Sequence, residues 1–93
     1  MTMTSEQLQI MAQFVADELG GGADEYLDAD FVLTNDDFDH FDGRHWHSCN
    51  RRKIDNDIQL PNAYYEQVQV KPGQRRSHLW VVDFGEFRAV FNQ

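Results

Sequence analysis

The stretch from His78 to Asn92 constrains the fold more tightly than any other part of this sequence. Two apolar-rich segments, His78–Phe84 and Phe87–Asn92, are separated only by Gly85-Glu86. A two-residue connection with glycine in first place suits a type II′ turn, so the segments should pair as a hairpin in a single register. That register sets Phe84 opposite Phe87, Val82 opposite Ala89 and Trp80 opposite Phe91. All six lie on one side of the ribbon, because side chains alternate with period two. Asp83 then falls opposite Arg88 on the other side, a complementary cross-strand pair.

The apolar side of this hairpin needs a cover, and the N-terminal segment supplies one. Leu8, Met11, Ala12, Val15 and Leu19 recur at helical spacing, with Ile10 and Phe14 widening the stripe. Thr4 and Gln7 have the spacing of a capping box, and Met3 and Leu8 that of a hydrophobic staple. Glu6 sits in the first turn, where the helix dipole favours a carboxylate. Gly20, Gly21 and Gly22 stop the helix, which is expected over Ser5 to Leu19. Beyond it, Asp24 can start a short second helix carrying Tyr26 and Leu27, which runs into a strand at Phe31-Val32-Leu33-Thr34. Asp42-Gly43 is a type I′ signal joining Asp37–Phe41 to Arg44–Cys49 as a hairpin. Ala63–Val70 alternates as a strand and is followed by a turn at Lys71-Pro72-Gly73-Gln74. The expected fold is α+β, a single domain over residues 1–93. An N-terminal amphipathic helix, with a short second helix after it, packs on a four- to five-stranded antiparallel sheet.

Composition narrows the class of protein. Hydrophobic residues make up 41% and aromatics 13% of 93 residues, which is a folding composition and argues against global disorder. With Cys49 as the one cysteine no internal disulfide can form. No apolar run is long enough to span a bilayer, and Met1 to Leu8 lacks the basic-then-apolar pattern of a signal peptide. A cytoplasmic location is therefore expected, with no membrane partner.

The net charge of −8 is unevenly placed. Residues 1–43 carry eleven acids and no Lys or Arg, whereas residues 44–93 carry all eight bases and five acids. A net-negative chain repels phosphate, so direct nucleic-acid binding is disfavoured even though Arg51-Arg52-Lys53 and Arg75-Arg76 form short basic clusters. The acidic half would instead attract the basic surface of another protein. The residues expected to make that contact are Asp24, Glu25, Asp28, Asp30, Asp36, Asp37, Asp39 and Asp42. In its strong form this reading is nucleic-acid mimicry, in which carboxylates occupy a groove built for phosphates and inhibit a basic nucleic-acid-binding protein. Small acidic inhibitors of the phage and mobile-element type, anti-restriction and anti-CRISPR proteins among them, act by that route. The analogy rests on charge and size alone. Surface carboxylates also serve solubility, which is the plainer account of the same charges.

A second constellation points to a different class. In the hairpin register around Asp42-Gly43, His45, His47 and Cys49 share one face and His40 lies across from His45. Imidazole and thiolate are zinc ligands, so His40, His45, His47 and Cys49 are candidate metal ligands and zinc a candidate cofactor. The same histidines could do acid–base chemistry, giving an alternative reading as a metal-binding or histidine-based hydrolase or nuclease-like enzyme centred on His40, His45 and His47. Two apparent motifs carry nothing. Asp83-Phe84-Gly85 spells a kinase magnesium motif in a chain far too short for a kinase. The run from Asp37 fails as a calcium loop, because Phe41 stands at the fifth position, which needs an oxygen ligand, and Ser48 at the twelfth, which needs a Glu.

Overall fold

The computed structural model describes residues 2–34, 59–69, 73 and 76–92. Helix α1 spans Ser5–Leu19, and its start is fixed by a reciprocal capping box. Thr4 Oγ1 accepts from the Gln7 N–H at 3.1 Å, and Gln7 Oε1 accepts from the Thr4 N–H at 2.9 Å. Two donors that the first turn would otherwise leave orphaned are thereby satisfied. Met11, Ala12, Val15 and Ala16 form its buried stripe. The Gly20 N–H closes the last turn on the Ala16 carbonyl at 2.7 Å.

A 3-10 helix, Ala23–Tyr26, follows at once, and a short strand, β1, covers Val32–Thr34. Three longer strands complete the sheet: β2 (Asn62–Gln69), β3 (Arg76–Asp83) and β4 (Arg88–Asn92). The described strands form a four-stranded antiparallel sheet in the order β1-β4-β3-β2. The fold is α+β, one N-terminal helix packed on this sheet.

The C-terminal hairpin adopts the register its turn and alternation dictate. Trp80 pairs with Phe91, Val82 with Ala89 and Asp83 with Arg88. The Phe84 N–H donates to the Phe87 carbonyl at 3.0 Å, and Gly85 sits at φ 93°, a conformation that side-chain-bearing residues rarely adopt. On the helix side of the sheet Trp80, Val82 and Ala89 pack against Met11 and Val15, with Phe84, Phe91, Leu19 and Leu33 at the margin. The Trp80 indole N–H is buried with no hydrogen-bond partner among the described residues. An orphaned donor costs about 1–3 kcal/mol. Burying an aromatic side chain returns roughly 4–6 kcal/mol at about 25 cal/mol per Å2, so the indole still stabilises its site.

The opposite side of the sheet is buried as well. Leu79, Val81 and Val90 on that side are as fully buried as Met11 and Val15, and Asp83 is buried among them. The core therefore has two layers, one on each side of the sheet. The run Leu79-Trp80-Val81-Val82 carries this in its sequence: four consecutive apolar residues are the pattern of a strand buried on both faces, not of one half-exposed.

Candidate functional site

Helix α1 ends in Asp17 and Glu18, the 3-10 helix opens with Asp24 and Glu25, and Asp28 and Asp30 follow before β1. All six side chains are exposed, no Lys or Arg occurs between residues 17 and 30, and none of the six forms an ion pair with a described residue. Asp17 is oriented by a neighbour one turn back, with Gln13 Nε2 donating to Asp17 Oδ1 at 2.8 Å. The result is an acidic shoulder at the C-terminal end of α1.

The backbone beneath this shoulder is held firmly. Ala23 is buried, and the Tyr26 hydroxyl donates to the Gly20 carbonyl at 3.2 Å, which satisfies one of the acceptors that a helix end leaves over. The rings of Tyr26 and Phe31 both meet Phe91 edge-on, with centroids 6.1 and 5.9 Å away. Phe91 in turn packs on Trp80 at 5.9 Å. Backbone bonds Glu25 N–H to Gly22 O, Ala29 N–H to Tyr26 O and Phe31 N–H to Ala29 O, each 3.1 Å, close successive turns. Gly21 has φ 91°, and a Cβ there would run into the Glu25 carboxylate, so the entry to the 3-10 helix needs glycine. Apolar anchors thus point inward while the acids between them point to solvent.

Electrostatics makes this arrangement costly. The C-terminal end of a helix carries partial negative charge, and a basic residue in the last turn is the usual complement. α1 has none in its last turn and places Asp17 and Glu18 there. Like charges on one small surface also repel. Chemically the shoulder can do one thing well: present several fixed negative charges to a cation. It holds no nucleophile paired with a base.

The expected contact residues divide in two. Asp24, Glu25, Asp28 and Asp30 are exposed along the segment between α1 and β1, whereas Asp36, Asp37, Asp39 and Asp42 fall outside the described residues. So do His40, His45, His47 and Cys49, together with the hairpin expected to bring them together. Among the described residues no three His, Cys, Asp or Glu side chains are grouped to hold a metal ion. His78, on β3, is engaged otherwise: it hydrogen-bonds Gln67 across the ladder at 3.1 Å and stacks edge-on against Tyr65. No helix among the described residues is long and apolar enough to cross a membrane. Asp17 and Glu18 are not among the contact residues expected from sequence; a helix end with two acids and no base is the signal that places them with the shoulder. Compared with known protein families, curated proteins and solved structures, the chain matches none.

Proposed function

We propose that this chain is a small, non-enzymatic protein-binding module whose acidic surface docks on the basic surface of another protein. In the specific form of the proposal the basic surface is a nucleic-acid-binding groove, and the module inhibits by placing carboxylates where phosphates would lie. One observation carries the reading. Six exposed acids stand on an anchored backbone without a counter-charge among the described residues, and two of them, Asp17 and Glu18, occupy the helix end where the dipole opposes them. Anchoring matters because groups already ordered lose little further entropy on binding, so more of the charge attraction remains as affinity. Local rules broken without a structural return are characteristic of sites kept for another purpose.

Affinity capture from the native host tests it, with three baits: the unaltered chain, a variant bearing Asp24→Asn, Glu25→Gln, Asp28→Asn and Asp30→Asn, and a Glu86→Gln control. The expected partner is basic, is retained at low salt by the first and third baits, is lost from the second, and is displaced by duplex DNA. Equal retention by all three baits would refute the acidic-surface reading. Retention unaffected by DNA would refute mimicry alone.

A further inference from the structure

Beside the shoulder, α1 carries an open cleft of about 400 Å3, within the roughly 300–1,000 Å3 usual for ligand sites. Among the described residues it is lined by Gln9, Ile10, Gln13, Phe14 and Asp17. Their spacings of three and four positions set them on one face of the helix. Ile10 and Phe14 are half-buried, each with one side against the core, and they form an apolar floor. The rim is polar: Gln9 and Gln13 carry amides that both donate and accept, and Asp17 is the sole charge among these residues, with Gln13 Nε2 donating to its Oδ1 at 2.8 Å.

We propose that this cleft takes an arginine side chain of the basic partner, which rests on the function proposed above and names the group that anchors it. The match is one of charge and shape. A cationic occupant meets Asp17, and one with several donors can also reach the amide oxygens of Gln13 and Gln9. It must also offer an apolar stem for Ile10 and a flat cation for the Phe14 ring. Guanidinium has five donors in one plane and stacks on aromatic faces, while its methylene stem covers apolar surface. An ammonium meets the charge but does not stack and brings fewer donors. Asp17 belongs both to the cleft and to the shoulder, so an arginine seated here would sit at the edge of the acidic surface and fix the orientation of the partner on it.

Titration of the 15N-labelled full chain with blocked tetra-arginine and tetra-lysine peptides, followed by NMR at low ionic strength, tests the assignment. Tetra-arginine should shift the amides of Gln13, Phe14 and Asp17 and bind more tightly than tetra-lysine. Asp17→Asn should weaken tetra-arginine binding about three- to fivefold, the range of an exposed ion pair. Phe14→Leu, which keeps an apolar contact to the core and is checked by thermal melting, should remove the preference for arginine. Shifts confined to residues 24–30, with no preference between peptides, would overturn the cleft and leave the acidic-surface reading standing. Absence of binding by either peptide would overturn both.

Discussion

Arg88 and Asp83 meet across the hairpin of β3 and β4, with Nε 3.5 Å from Oδ2 and both side chains largely withdrawn from solvent. The other Asp83 oxygen accepts from the Gly85 N–H at 2.8 Å, so one carboxylate ties the strand pair to its turn. Removing Asp83 breaks a buried ion pair and also takes the acceptor from the Gly85 N–H, and breaking a buried pair costs about 3–5 kcal/mol. Asp83→Ala should therefore lower stability by about that much in urea melts. Asp83→Leu combined with Arg88→Met should recover much of it, because an apolar pair needs no compensation. Strict additivity of the two single substitutions would show that the pair is not coupled.

The second layer of the core makes a separate prediction. Leu79→Ala should cost as much as Met11→Ala, about 2–5 kcal/mol, because both side chains are fully buried on opposite sides of the sheet. A loss under about 0.5 kcal/mol at Leu79, the scatter of surface substitutions, would mean that the side away from α1 is exposed in solution.

The turn between α1 and the 3-10 helix separates two neighbouring glycines. Gly21→Ala should destabilise by about 1–2 kcal/mol, since it forces a left-handed residue and brings a Cβ against Glu25. Gly22→Ala, at φ −103° with open space around it, should be close to neutral. Thermal melts of both variants side by side check the difference.

Stability and binding should move in opposite directions at the helix end. Glu18→Lys places a cation at the negative end of the dipole and should stabilise the fold by about 0.5–1 kcal/mol at low salt. The same change should slow association with a basic partner, since long-range attraction between charges sets encounter rates. Stopped-flow association and denaturant melts on one variant read both. A stabilised variant with unaltered association would show that Glu18 plays no part in the shoulder.

The elements legible from sequence share a property: their signals are local and mutually reinforcing. Thr4, Gln7 and the glycines bracket α1 from both ends, and its observed span coincides with the expected one. Gly85, the alternation of Trp80, Val82 and Phe84, and the Asp83–Arg88 pair each specify the same hairpin register. The short helix running into a strand at Val32 was readable from the apolar run, but the helix begins at Ala23 after Gly22, and Asp24 lies within its first turn instead of capping it. What stayed hidden was non-local. Nothing near Val32 announces that its ladder partner is Val90. The double burial of β3 is written in Leu79-Trp80-Val81-Val82, but the burial of Asp83 beside them is not, because a carboxylate looks like a surface residue when charge alone is weighed. At the site, the acids were visible one by one, but their common footing was not. That footing depends on Tyr26 and Phe31 finding Phe91 from the far end of the sequence.

The strand order has a consequence for how the molecule assembles. β4 comes last along the chain, yet in space it lies between β1 and β3. During synthesis, α1, the 3-10 helix and β1 emerge first, and β2 and β3 can then zip together as neighbours. Neither group can join the other through the sheet until β4 is made, because β4 is the only described strand that touches both β1 and β3. It acts as a keystone. Closing such distant pairings is slow compared with forming a helix or a local strand pair. The acidic shoulder lies between α1 and β1, and its aromatic anchor, Phe91, belongs to β4. A nascent chain therefore carries the charges of the shoulder before Phe91 is available to pack against Tyr26 and Phe31 beneath them.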